Sequence, residues 1–591
     1  MSARISSPTP SLSGVPPPRG DPLFSRRPRL SDLSSPAFWI GDYNYKALFS
    51  FRSRTLPFFG TDERLPVVLA FVLGLQHALA MVGGLVVPPL LLAGSSGANL
   101  STNEQTYTIA AALIWCGLGT LLQCSRIPLG KGFYLGSGVL NVIGTSFVFV
   151  TTGLSFINTQ YSREDGMCSY AEDGVTKLPC REAFGAMLGS ASTVAVIGVF
   201  LSFTPPRYLR KIFTPLVTGA VLLTIGLALM SSGITNWAGG SGCQTAGSLC
   251  LAGTPHAAPW GSPRLIGLGF SVWVSIVLFD VLGPPFFKNI SSALGLIVGI
   301  IIAAACGYFQ KDKIDAAPAA TFLWTTTFPL SVRGELVLPF LASYLVVISE
   351  AIGNITATCA ASRLPIDTPE FGQRLQGGIL SDLLWACLAG LATVPPSTTF
   401  SQNVSVISLS NNASRVAGYV CAFILLIMGI FAKFGAIFVA MPTSLIGGLT
   451  VYLFSAVCIA GLQILSTVSW TRRSRFIATV SLSLGFASVV KPTWFGSFFT
   501  YEGSNHALRG FLDALTLLVE EPYMITLLLA VPLQFLTPLG DDDLALQAGV
   551  VEASELGTGT SASKTRGGRM EDDLEAARGV EEVPLEEVDV K

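Results

Sequence analysis

Long apolar runs separated by short polar loops dominate the chain from about residue 65 to about residue 540. A run of roughly 20 apolar residues is what an α-helix needs to cross a bilayer. The pattern predicts about fourteen spans, at 65–93, 107–125, 133–153, 184–204, 214–231, 264–281, 290–307, 335–357, 377–394, 398–412, 416–437, 443–465, 474–490 and 521–538. The third and tenth are the weakest helices. Glycines interrupt FYLGSGVLNVIG in the third, and Pro395-Pro396 precede STTFSQN at the tenth, so short strands fit at both. The segment TPLVTGAVLLTIGLAL resembles MPTSLIGGLTVYLFSAVCIAGLQIL, with Pro215 and Pro442 in like positions. These are spans five and twelve, and the two interrupted spans are likewise seven apart. A repeat of odd length inserts in opposite orientation. The expected fold is therefore an all-α polytopic membrane protein of two inverted seven-helix repeats. Broken segments at matching places in two such halves point to a midplane binding site.

Composition agrees with a membrane protein. Half of the 591 residues are hydrophobic and 12% are charged, against roughly 25% charged in soluble proteins. The chain divides into a tail at 1–60, repeats at 61–310 and 311–540, and an acidic tail at 541–591. The head is Ser/Pro/Arg-rich and the tail Gly/Thr/Glu-rich, compositions of disordered segments. Neither reads as nucleic-acid binding, and no secretory signal precedes the first span. Lys564 in the acidic tail is a candidate acceptor for ubiquitin-ligase or trafficking adaptors, and a plain solvating tail is the alternative. Basic residues cluster in alternate loops (Arg126 and Lys131; Arg207, Arg210 and Lys211; Arg472, Arg473 and Arg475), which puts both termini in the cytosol. Cys168 and Cys180 then share one outside loop, and Cys243 and Cys250 another, where an oxidising exterior permits bridges. The other seven cysteines fall in apolar spans and read as packing residues. Asn99-Leu-Ser101 is a candidate glycosylation sequon.

Charge within the spans is sparse, and a charge near the bilayer centre costs at least ~2.5 kcal/mol. Glu350, in SYLVVISEAIGNITAT, reads as a carboxyl that exchanges a proton while bonding a polar ligand; a structural carboxylate is the rival reading. Asp382, five residues into span nine, is either a coupling group or a solvated helix-end charge. Gln402 and Asn403 open the interrupted tenth span, where amides offer donor and acceptor together to a planar heterocycle; an interhelical amide contact is the alternative. Gln76-His77 lies in span one, and the histidine reads first as structural. Phe147 sits beside the other break, where it can contact a flat ligand. There is no HExxH, GxSxG or Walker loop, so no enzyme, metal or cofactor is expected beyond a proton as coupling ion.

Several stretches resemble the nucleobase–ascorbate transporter family, and within it the fungal uric acid–xanthine permeases. They include WIGDYNY, QHALAMVGG, GTSF, WAGGSGC, ITATCAASRL, GIFAKF and GSNHALRGFLDA, and the likeness runs over roughly 38–540. The resemblance implies a homodimeric, proton-coupled purine importer of the plasma membrane that works by an elevator-like shift of a core domain against a gate domain. It assigns purine binding to Glu350 and Gln402, with Phe147, Ser401 and Asn403 beside them. Transport and coupling fall to Asp382, Gln76 and His77. The sequence departs from the family motif [Q/E/P]-N-x-G-x-x-x-x-T-[R/K/G], reading QNVSVISLSN. Ser405, Ser410 and Asn411 stand for the glycine, the threonine and the last position, and Asn354 stands for an acidic residue. These changes leave open another nucleobase, an organic anion or a non-transporting nutrient sensor.

Overall fold

The computed structural model describes residues 35–538 and 540, apart from 42, 51–56, 164, 173–175, 245–248, 252, 253, 367 and 493–505. The expectations for the head before residue 35, for the acidic tail and for Lys564 lie outside the described residues. The described parts of Met1–Ser469 and Phe476–Leu536 form one compact unit. Those of Trp470–Arg475 and Thr537–Lys591 form a second, in which Arg473 Nε donates to the Thr537 carbonyl (3.1 Å).

The first unit is a bundle of helices. They are α1 (Val67–Ala93), α2 (Thr102–Cys124), α3 (Val148–Ser162), α4 (Arg181–Leu201), α5 (Pro215–Trp237), α6 (Pro263–Leu282), α7 (Ser291–Ala305) and α8 (Val337–Ala361). There follow α9 (Pro369–Ala389), α10 (Gln402–Ser410), α11 (Arg415–Ile430), α12 (Ala432–Ala440), α13 (Thr443–Ser466), α14 (Arg472–Val490), α15 (His506–Glu520) and α16 (Pro522–Leu536), with α14 belonging to this unit from Phe476 onward. Local chemistry sets many starts. Ser101 and Glu104 close a capping box on α2, and proline opens α5, α6 and α9, where its missing N–H costs nothing.

Each expected span overlaps at least one of these helices, the third only in its last residues (148–153), but fourteen crossings are not shown. Among the described residues seven helices are long and apolar enough to cross a membrane, or up to nine if each bent pair is one span. The pairs are α11 with α12, bent by 72°, and the Gly510–Glu520 part of α15 with α16, bent by 89°. The difference has local causes. The first turns of α9 carry Glu370 and Arg374, α14 opens on Arg472 and Arg473, and α7 has 15 residues. The two interrupted spans are each a strand followed by a helix. β1 (Ile143–Thr145) leads towards α3, and β2 (Ser397–Thr399) towards α10.

The helices pack in two groups. α1, α2, α4, α8, α9 and α11 pack on one another and enclose both strands, whereas α5, α6, α7, α13 and α16 pack together. The tightest approach in the second group is α5 on α13, the two helices opened by Pro215 and Pro442. There Gly219 and Gly461 let the backbones meet: a Cβ on Gly461 would lie 2.7 Å from Leu223 N and 2.8 Å from the Gly219 carbonyl. In the first group Trp385 stacks on Trp115 (centroids 4.1 Å apart) and donates to its carbonyl (2.9 Å).

Cys168 is bonded to Cys180, and Cys243 to Cys250. Of the other seven, Cys306 departs from the packing expectation: α7 ends at Ala305, and the residue after it is exposed. Asn99 is half-buried and its amide donates to the Lys177 carbonyl.

A buried cation fixes the approach to β1. Arg374 on α9 donates to the Gly138 carbonyl (2.9 Å) and the Ser137 carbonyl (3.4 Å) and pairs with Glu370 (3.0 Å). Arg374→Met would strand these carbonyls, a loss of about 1–3 kcal/mol each if unsatisfied. We expect a lower thermal midpoint for the detergent-solubilised protein, with Arg374→Lys recovering only part because it lacks the fork. An unchanged midpoint would show that the clamp contributes nothing.

Candidate functional site

The two strands cross at the centre of the first helix group. β1 and β2 pair antiparallel, Ile143 with Thr399, Gly144 with Thr398 and Thr145 with Ser397. Ser146 N to the Pro396 carbonyl (2.9 Å) and Phe400 N to the Val142 carbonyl (3.1 Å) extend the ladder at both ends. With only three residues each, the strands hold position through the helices around them. Thr145 Oγ1 lies 3.1 Å from the carbonyls of Gly84 and Leu85 on α1, and Ile143 N donates to Thr120 Oγ1 on α2 (3.0 Å).

β2 is tied to the other side by two of the candidate residues. Asp382 Oδ2 accepts from Thr399 N (3.1 Å), Thr399 Oγ1 (3.1 Å) and Thr398 Oγ1 (3.3 Å). Asn354 Nδ2 on α8 donates to the Thr399 carbonyl (2.8 Å). Asp382 is fully buried, which rules out the solvated helix-end reading; its Oδ1 has no hydrogen-bond partner among the described residues.

Glu350 lies one turn before Asn354 on α8, half-buried, and close enough to Asp382 for the two carboxyls to interact electrostatically. It makes no hydrogen bond or ion pair to another described residue. Gln402 is half-buried at the first turn of α10, three residues beyond Thr399. α10 packs against both α8 and α1. Ser401, its N-cap, is exposed and makes no capping bond. Asn403 is buried and meets His77 across to α1, Oδ1 to Nδ1 at 3.3 Å. His77 Nε2, Asn403 Nδ2 and Gln76 Oε1 are buried without partners among the described residues. Phe147, half-buried, is near-parallel to Phe400 (centroids 6.4 Å apart) and edge-on to Phe454 of α13 (5.4 Å). The Phe400 ring fills notches that glycine leaves open, since a Cβ on Gly84 or Gly144 would come within 2.5 Å of it.

The altered motif positions acquire physical meanings. Asn411 ends α10 with φ +52°, a left-handed conformation that glycine and asparagine adopt most cheaply. Ser410 is buried and donates to the Val406 carbonyl (2.6 Å), while Ser405 is exposed. Sequence reasoning missed Thr398, Thr399 and Phe400, which hold the crossing together. The signal was the STTF run directly after the double proline.

Residues 69–493 match the family model Xan_ur_permease, described as a permease family. The chain belongs to that family, the nucleobase–ascorbate transporters. It is 44% identical over 542 residues to the purine permease of Emericella nidulans, covering 90% of this chain and 92% of that one. It is 46% identical over 508 residues to the uric acid–xanthine permease of the same organism (84% and 88% covered). Xanthine permease XanQ of Escherichia coli is 30% identical over 498 residues (84% and 97% covered). As a nucleobase–ascorbate transporter family member, this chain is a multi-pass membrane transport protein and not an enzyme.

Asn354 supplies a test. An acid there must carry a proton to donate to the Thr399 carbonyl. In Asn354→Asp that bond is present in acid and lost as pH rises and the carboxyl ionises. Uptake by the variant is expected to match the wild type at acid pH and fall more steeply above it. Parallel pH profiles would show that the Asn354 bond does not position β2.

Proposed function

We propose that this permease is a proton-coupled importer of purines of the xanthine and uric acid type. The observation that carries the reading is Glu350, a half-buried carboxyl with no hydrogen bond or ion pair among the described residues, beside a rigid strand crossing in an apolar bundle. A carboxylate accepts from a purine ring N–H. The Gln402 amide offers donor and acceptor in one plane, and the Phe147 face covers a flat heterocycle. The names of the most similar relatives support the substrate class. Ser401 and Asn403 flank the ligand. Two neighbouring carboxyls, Glu350 and Asp382, pass the coupling proton between them, with Gln76 and His77 supporting the crossing through Asn403.

In this reading α1–α4 and α8–α12 are the moving core and α5–α7 with α13, α14 and α16 the gate; the mutual packing of α1, α2, α4, α8, α9 and α11, and of α5, α6, α7, α13 and α16, supports it. The repeats are 61–310 and 311–540 with inverted topology. The transporter is a homodimer in the plasma membrane with both termini cytosolic. The elevator movement shifts the crossing as one rigid block, because each strand is bonded to two helices of the same group.

The experiment is uptake of radiolabelled xanthine in cells lacking their own purine permeases. Wild-type uptake is expected to rise as external pH falls and to be competed by uric acid but not by uracil, ascorbate or sulfate. Glu350→Gln should reduce it at least about tenfold, the ordinary worth of a hydrogen bond to a charged group, and flatten its pH dependence at normal surface expression. Unchanged uptake would overturn the assignment of Glu350. Competition by sulfate or ascorbate alone would replace the purine by an anion.

A further inference from the structure

A cavity of about 330 Å³ lies at the face that carries the disulfide Cys243–Cys250. It contains none of the residues of the strand crossing. Its polar lining comes from both helix groups and the loops between them: Gln105 at the start of α2, Asn236 near the end of α5, and Gln310 and Lys313 between α7 and α8. Small hydroxyls bridge the groups at its edge. Ser96 Oγ donates to Asn236 Oδ1 (3.3 Å), and Ser241 Oγ donates to Ser96 Oγ (3.3 Å).

The charge in this cavity is unbalanced. Lys313 is half-buried and donates to the Val439 carbonyl (3.2 Å), with no ion pair among the described residues. No Asp or Glu lines the cavity among the described residues. Burial pushes the Lys313 ammonium down from its ordinary value, the expected response of a cation taken from water without a counter-charge. An anion at this place would restore the balance. The Gln310 amide supplies an in-plane donor and acceptor at the wall, and Gln105, whose Nε2 donates to the Leu100 carbonyl (2.6 Å), leaves its Oε1 as an acceptor, a lining for a flat polar molecule rather than for a simple inorganic ion.

The cavity is also connected to the strand crossing by two helices. α1 lines it at Leu90 and Leu91 and, six residues earlier, puts Gly84 against Phe400, about 9 Å along the axis. α13 lines it at Thr443 and Ile446 and, eight residues later, sets Phe454 against Phe147, about 12 Å along the axis. We propose that the cavity is an antechamber in which Lys313 and the neighbouring amides bind a planar, singly anionic heterocycle before it reaches Glu350 and Gln402. The proposal rests on the purine reading above for the identity of the heterocycle. It assigns Lys313 to capture of the anion and leaves the inner site to hold whichever form arrives.

The test compares two purines at about pH 6, where urate is an anion and xanthine is neutral. In cells carrying the full-length chain, Lys313→Gln should raise KM for urate about tenfold, the scale of one charge-assisted hydrogen bond. Its KM for xanthine and both Vmax values should stay within about twofold of the wild type. Lys313→Arg should restore the urate KM. An unchanged urate KM overturns the proposal. So does an equal loss for both purines that Arg does not restore, since that marks a structural lysine. Saturation-transfer NMR with urate on purified Glu350→Gln protein separates this site from the inner one. Urate signal that disappears on adding Lys313→Gln supports the antechamber even if the Glu350 assignment fails. Absence of signal, or signal indifferent to Lys313, contradicts it.

Discussion

The antiparallel contact of two three-residue strands is the constraint on which the rest of the molecule depends. Backbone without a helical partner is intolerable in an apolar bundle unless every N–H and C=O finds another bond. Here the solution is nearly symmetric. β1 is bonded to α1 and α2 through Thr145 and Ile143, and β2 to α8 and α9 through Asn354 and Asp382. The half-helices α3 and α10 then begin where a ligand can meet their first turns. Asp382 is the most exacting member, since a fully buried carboxyl is tolerated only when several donors face it, and three do.

That arrangement divides labour between neighbouring carboxyls. Asp382 is bonded to the strand through one oxygen, whereas Glu350 makes no hydrogen bond or ion pair among the described residues. One carboxyl builds the platform, and in the proposed reading the other meets the substrate. The proposed coupling follows from their proximity, because a ligand that changes the state of Glu350 is felt by the residue holding β2. A change at the ligand would thereby reach the whole helix group, in which α1, α2, α8 and α9 share the same crossing.

Much of this was legible in the chain. Most apolar runs gave their helices to within several residues, whereas the third (133–153) met its helix only from Val148 and α15 had no expected span. The breaks at Gly136–Gly144 and Pro395-Pro396 marked both strands. Glu350 and Gln402 stood out as polarity in an apolar context. What was not legible is pairing at long range. Nothing near Asn354 in sequence tells that its amide meets Thr399, 45 residues away. Nor does the sequence tell that Gly84 and Gly144, far apart in the chain, make room for one ring. Asp382 stayed open between a coupling group and a helix-end charge, because distance along a helix does not reveal what packs across it. The bends of 72° and 89° were not legible for a related reason: a periodic apolar pattern does not announce them.

The central claim is that a purine and a proton move together through Glu350. Purified protein reconstituted in liposomes with a trapped pH dye tests it directly. An inward xanthine gradient should acidify the lumen in the wild type, and the signal should vanish in Glu350→Gln while the vesicles hold a comparable amount of folded protein. Xanthine entry without acidification, or acidification that persists in the variant, would contradict the account.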